Sequence, residues 1–109
     1  MVRPQHKEIS MKKVFISQPM GDKTTEEIIK ERDRVKKELE EKLGYKIEII
    51  DSFFNSHFAH PPLYYLGRAI EMMADADLVY FVKGWEKSRG CQIEHQCAIL
   101  YQYNWREEG

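Results

Sequence analysis

Long apolar runs are missing from this 109-residue sequence, and no stretch approaches the roughly 18 residues that a membrane-spanning helix needs. The opening residues, MVRPQHKEIS, also lack the apolar centre of a secretory leader. An excess of one charge is missing too. Lys and Arg number 17 against 18 Asp and Glu, and a net charge of −1 leaves no basic footprint for nucleic acid. Cysteine is scarce. Cys91 and Cys97 are the only two, six apart on one expected helix, which puts them about 9 Å apart along its axis and on different faces. That spacing excludes a disulfide, and neither residue belongs to a CxxC pair. Both read as reduced, buried, small apolar residues, which fits a cytoplasmic setting.

What is present describes one domain. Apolar residues make up 42% and charged residues 32%, the balance of an ordinary globular chain with a modest core. Residues 1–11 are polar and aperiodic and read as a disordered tail, which leaves 12–109 as the domain. Lys13–Ser17 (KVFIS) has the nearly unbroken apolar character of a strand buried on both faces, and it ends in the turn residues Gln18-Pro19-Met20-Gly21-Asp22. Thr24-x-x-Glu27 is a capping box. The helix it opens carries Ile28, Arg32, Val35, Leu39 and Leu43 at helical spacing and stops at Gly44.

Lys46–Asp51 is the next strand. A second helix over Pro61–Asp75 places Leu63, Leu66, Ile70 and Met73 inward. Asp77–Val82 is a third strand and residues 89–102 a third helix, while Asn104–Gly109 either frays or adds a short edge segment. The order β-α-β-α-β-α predicts a flavodoxin- or Rossmann-like three-layer α/β/α fold around a small parallel sheet. Ligands of such sheets bind beyond the carboxyl ends of the strands, where the strand order reverses. Ser17–Asp22, Asp51, the Gly84–Gly90 loop and Glu94 all fall on that edge.

The stretch KGWEKSRGCQIEHQCA (Lys83–Ala98) is the most informative. A strand feeds a loop punctuated by Gly84 and Gly90, and the helix that follows carries Glu94 near its start. The helix dipole and free N–H groups there favour an ionised carboxylate, a nucleophile or electrostatic stabiliser. Ser88, Arg89 and Gly90 together supply a hydroxyl, a cation and flexible N–H groups suited to an anion such as phosphate. The plainer alternative is a capped βα junction with a solvated Glu.

FISQPMGD (Phe15–Asp22), IIDSFF (Ile49–Phe54) and ADLVYFVKGWEKSRGCQIEHQCA (Ala76–Ala98) resemble a family of short bacterial and phage proteins, a domain of unknown function. That family belongs to the nucleoside 2-deoxyribosyltransferase-like superfamily. The resemblance spans about residues 12–103, and GWEKSRG-x₃-E is its most specific part. It implies chemistry at an N-glycosidic bond. Glu94 would attack C1′ of a nucleoside or nucleotide, and another base or water would resolve the glycosyl-enzyme. It further implies that Ser88, six residues before Glu94, holds a 5′-phosphate with help from Arg89. Ser17, Gln18, Pro19 and Met20 would contact base and sugar, and Asp51 a ribose hydroxyl or merely a local cap. Gly84, Trp85 and Gly90 complete the expected substrate contacts.

No cofactor and no metal are implied; the expected partners are a small nucleoside or nucleotide and further copies of the chain. Many superfamily members carry an Asp eight residues before the Asp of the third strand, and here that position is Ala69. Glu71 lies about 200° further around the helix and cannot replace it. This departure keeps open a catalytically silent nucleotide-binding module, and behind it a scaffold with no small ligand. His57-x-x-His60 offers two metal-type side chains without a third, or a cap and a packing residue. Tyr64, Tyr65 and Trp85 are candidates for stacking on a base, or for core and subunit contacts.

Overall fold

The computed structural model describes residues 12–51 and 60–109. The tail assigned to residues 1–11 lies outside them, as do Phe53, Phe54 and His57. The elements run β1 (Lys12–Ser17), α1 (Thr25–Leu43), β2 (Ile47–Ile49), α2 (Pro62–Met73), β3 (Leu78–Phe81), α3 (Arg89–Leu100) and β4 (Trp105–Glu107). A single 3₁₀ turn, Trp85–Lys87, precedes α3.

All strand pairs are parallel and the order is β2-β1-β3-β4. Period-2 alternation sends successive side chains to opposite faces of this sheet, and a separate core forms on each. Val14, Ile16, Leu78, Tyr80 and Val82 pack with Val35 and Leu39 of α1. Phe15, Val79 and Phe81 pack with Met73 of α2 and Ala98 of α3. The expected three-layer α/β architecture is what the chain adopts.

Local chemistry sets the boundaries. At the start of α1 the Thr24 Oγ1 accepts from the Glu27 N–H (3.1 Å) and Glu27 Oε1 accepts from the Thr24 N–H (2.9 Å), closing the capping box. Gly44 ends the helix in the left-handed region (φ 83°), donating to the Glu40 carbonyl at 2.8 Å. Asp77 clamps the entry to β3: its N–H donates to the Lys13 carbonyl while its carboxylate accepts the Lys13 N–H, both at 2.8 Å.

One expectation needs correction. Leu63 does not face inward and is 74% exposed. The inner side of α2 is centred on Leu66, Ala69 and Met73, so Leu63 lies roughly a quarter of a turn off it. The C-terminal segment, left open between a frayed end and an edge segment, forms β4 paired to β3 (Val79↔Trp105 through Phe81↔Glu107). Side chains hold it there. Trp85 Nε1 donates to Glu107 at 3.1 Å, the Lys83 N–H donates to Glu108 at 3.0 Å, and Arg34 pairs with Glu108 at 2.9 Å.

Candidate functional site

Strand order reverses between β1 and β3: from β1 the chain passes to β2 on one side and later returns to β3 on the other. Beyond the carboxyl ends of these two strands lies a cleft of about 260 Å³. Its floor is made by Ser17 and Glu94, and α2 supplies a wall of Tyr65, Leu66 and Ala69. Met20 from the loop after β1 and Cys91 from the first turn of α3 close the sides. A wider cavity of about 770 Å³ shares Gly21, Pro62, Leu66, Ser88 and Gly90 with it, and is bordered further out by Pro19, Asp22, Gly84, Lys87 and Arg89. Together they have the dimensions of a small-molecule site.

Glu94 is buried, and Ser17 Oγ donates to its Oε1 at 2.6 Å. Both ends of that bond follow from the fold. Ser17 shares with Phe15 the sheet face that α3 covers, and its backbone is fixed by the register Ser17↔Phe81 and by the Val82 N–H donating to its carbonyl at 2.9 Å. Glu94 is the sixth residue of α3 on the buried stripe with Cys91 and Ala98.

That position corrects the expected charge state. Burial pushes the Glu94 carboxyl up to about 7, and the Ser17 hydrogen bond pulls it down only in part. The free N–H groups that would hold an anion belong to the first turn of the helix, before Glu94. Two N–H groups of that turn are already taken by the cap: Cys91 N–H donates to Ser88 Oγ (3.4 Å) and Gln92 N–H to the Ser88 carbonyl (2.9 Å). Glu94 is therefore a carboxyl poised near neutrality, not a fixed anion. Cys91, one turn earlier, is a thiol that burial pushes up, against side-chain hydrogen bonding with Ser17 and Ser88 that pulls it down.

The anticipated contacts divide. Ser17, Met20, Ser88, Gly90 and Glu94 meet in the inner cleft, and Pro19, Gly84 and Arg89 border its outer part. Gly84 (φ 94°) turns the chain there, with room beside it but a conformation other residues rarely take. Gln18 borders the cleft, yet its amide is committed to α1. Nε2 donates to the Ile28 carbonyl (3.3 Å) and Glu31 (3.0 Å), while Oε1 accepts from Arg32 Nε (2.9 Å). Asp51 does not line the cleft; its exposed carboxylate stands 3.6 Å from Arg32.

Trp85 also lies outside the cleft. It stacks on His95 (4.1 Å between centroids) and packs against Phe81, with its N–H on Glu107. Of the tyrosines, Tyr65 lines the cleft, whereas Tyr64 stacks on His60 at 3.9 Å. Cys91, expected only as a buried small apolar residue, also lines the cleft. Its signal was the spacing of three from Glu94, which puts both on one helical face. Among the described residues no three His, Cys, Asp or Glu side chains converge to hold a metal ion, and no helix is long and apolar enough to cross a membrane.

The domain is a parallel three-layer α/β fold with a buried carboxyl beneath a cleft at its topological switch point, the place where ligands of such sheets bind. Residues 12–103 match the model of the family described as Domain of unknown function (DUF4406), and the chain belongs to that family. No curated protein matches the chain.

Proposed function

We propose that this protein cleaves the N-glycosidic bond of a nucleoside or nucleotide, with Glu94 as nucleophile, as a deoxyribosyltransferase or an N-hydrolase of the nucleoside 2-deoxyribosyltransferase-like superfamily. One observation carries the reading. A carboxyl group is buried at the floor of a cleft of ligand size, held by a strand residue, and the first turn of its helix opens toward a mouth carrying Lys87, Ser88 and Arg89.

In its ionised form Glu94 attacks the anomeric carbon and stabilises the cationic sugar as the bond to the base breaks. Ser88 caps α3 and lines both cavities, the place where a 5′-phosphate would meet helix N–H groups and the two cations. Free cysteines support a reducing, cytoplasmic setting, and the exposed Leu63, Ile93 and Leu100 support self-association.

The test is chromatography of free base after incubation with the common deoxynucleosides and their monophosphates, with and without an acceptor base. Wild type releases base and Glu94→Ala releases none while still folding. Release by the variant at the wild-type rate would remove Glu94 from the mechanism.

A second reading rests on Ala69. It lines the inner cleft at the place where superfamily members carry an Asp, so the wall facing Glu94 is methyl there instead of carboxylate. On that reading the protein binds intact nucleotide without cleaving it. Thermal stabilisation by a nucleotide, with no base released, is its signature.

A further inference from the structure

We propose that Ser17 is the positioning residue of this site, holding Oε1 of Glu94 so that Oε2 is the oxygen presented to the anomeric carbon. The inference rests on the glycosidic reading for its reaction and on geometry for its residues.

A serine hydroxyl has one proton to donate. Here it goes to Glu94 Oε1 at 2.6 Å, a length typical of a hydroxyl bonded to a carboxylate anion. Ser17 cannot follow a wandering partner, since it is 1% exposed and tied into the ladder between β1 and β3. A glutamate side chain has several rotatable bonds, and one oxygen fixed to the sheet removes most of their freedom before substrate arrives. The two carboxyl oxygens thus become inequivalent. Oε1 belongs to the protein and Oε2 is left for the cleft.

The consequences follow through both steps. In the first, the C1′–Oε2 bond forms as the C1′–N bond breaks; the electron pair leaves with the base, which takes a proton from water. Glu94 is then a neutral ester whose carbonyl oxygen, Oε1, still accepts from Ser17. In the second, water attacks C1′, the C1′–Oε2 pair returns to the carboxylate and the water's proton passes to solvent. The Ser17 hydrogen bond strengthens as that charge returns, so Ser17 favours release of the sugar as well as ionisation of the free enzyme.

The titratable groups facing Glu94 are few among the described residues. Cys91 comes from its own helix and Tyr65 from α2, and β1 contributes only the Ser17 hydroxyl. Lys87, Arg89 and Asp22 stand further out at the mouth, and Lys23 makes itself felt at Cys91.

The experiment follows Glu94 directly, by carbon-13 NMR of protein labelled at the glutamate side-chain carboxyl, with the resonance assigned by Glu94→Gln. Ser17→Ala is expected to move the Glu94 titration midpoint upward by roughly one pH unit, and Ser17→Thr to restore it. The acid limb of kcat/KM is expected to move with it, so that activity at pH 6 falls about tenfold below wild type while KM changes little. A measurement needing no variant is the Ser17 hydroxyl proton itself, expected as a separate downfield resonance above pH 7. An unshifted Glu94 midpoint in Ser17→Ala, or no such proton at any pH, overturns the proposal. A shifted midpoint without base release from any substrate overturns the glycosidic reading and leaves the hold of Ser17 on Oε1 standing.

Discussion

Glu94 has two requirements that pull against each other. As the proposed nucleophile it must be ionised, and as part of the floor of a cleft it is buried, which penalises the ionised form. Burial wins far enough to push its pKa up to about 7, and the hydrogen bond from Ser17 opposes it. Catalytic carboxyls tuned toward neutrality are common because proton-transfer and nucleophilic steps then run near working pH. The expected outcome is a rate of base release that rises with pH through about 7 and reaches about a tenth of its plateau near pH 6. A pH–rate profile checks this; a flat profile from pH 5 to 8 would mean that Glu94 is not the group being titrated. The position of this residue can be read from the sequence, but its burial cannot. Proximity to a helix start is visible in the spacing, whereas the burial that opposes ionisation arises only once the folded chain brings Glu94 together with β1 and α2 at the cleft.

Among the elements, β1, α1 and β3 were legible because their signals are local: an apolar run, a capping box, a Gly stop. Contacts that depend on register were not. Gln18 and Trp85 are expected at a ligand because they flank the cleft in sequence; Gln18 does border it, with its amide turned to α1, while Trp85 joins the cluster beneath β4. β4 itself has little apolar content to announce it. Its place comes from cross-chain partners: Trp85 to Glu107, Lys83 and Arg34 to Glu108. Trp85 is therefore a structural link between the turn before α3 and the sheet edge. Trp85→Phe keeps most of the packing on Phe81 and His95 and removes the N–H donor. It is expected to cost about 1 kcal/mol in urea unfolding and to leave nucleotide affinity unchanged. A variant of wild-type stability that bound nucleotide several-fold more weakly would put the indole back at the ligand.

On the scale of the whole molecule, two carboxyl groups drive stability in opposite directions with pH. Glu108 is held below its ordinary value of 4.5: its burial works against this, but Arg34 and the Lys83 N–H outweigh it. A depressed carboxylate stabilises the fold above its unfolded pKa, and the contribution is lost as pH falls through the folded value. With Arg34 half exposed, that contribution is on the order of 1 kcal/mol. Glu94 has the reverse sign. Its folded pKa, about 7, lies above 4.5, so between those values the native state binds the extra proton and stability declines as pH rises. The whole span corresponds to about 3 kcal/mol, complete above pH 7. The summed contribution of these two groups is thus expected to be largest near pH 5, and to fall at the pH where the proposed nucleophile is ionised. Glu94→Gln separates the two contributions, since it keeps the size and an acceptor for Ser17 but cannot ionise. Urea denaturation from pH 4 to 8 should find wild type and variant alike near pH 4 to 5. The variant should pull ahead through pH 6 to 8 by up to about 3 kcal/mol, while the acid-side loss from Glu108 remains in both. A variant no more stable than wild type at pH 8 would mean that the floor of the cleft already accommodates a charge, and that Glu94 is ionised at neutral pH at no cost to the fold.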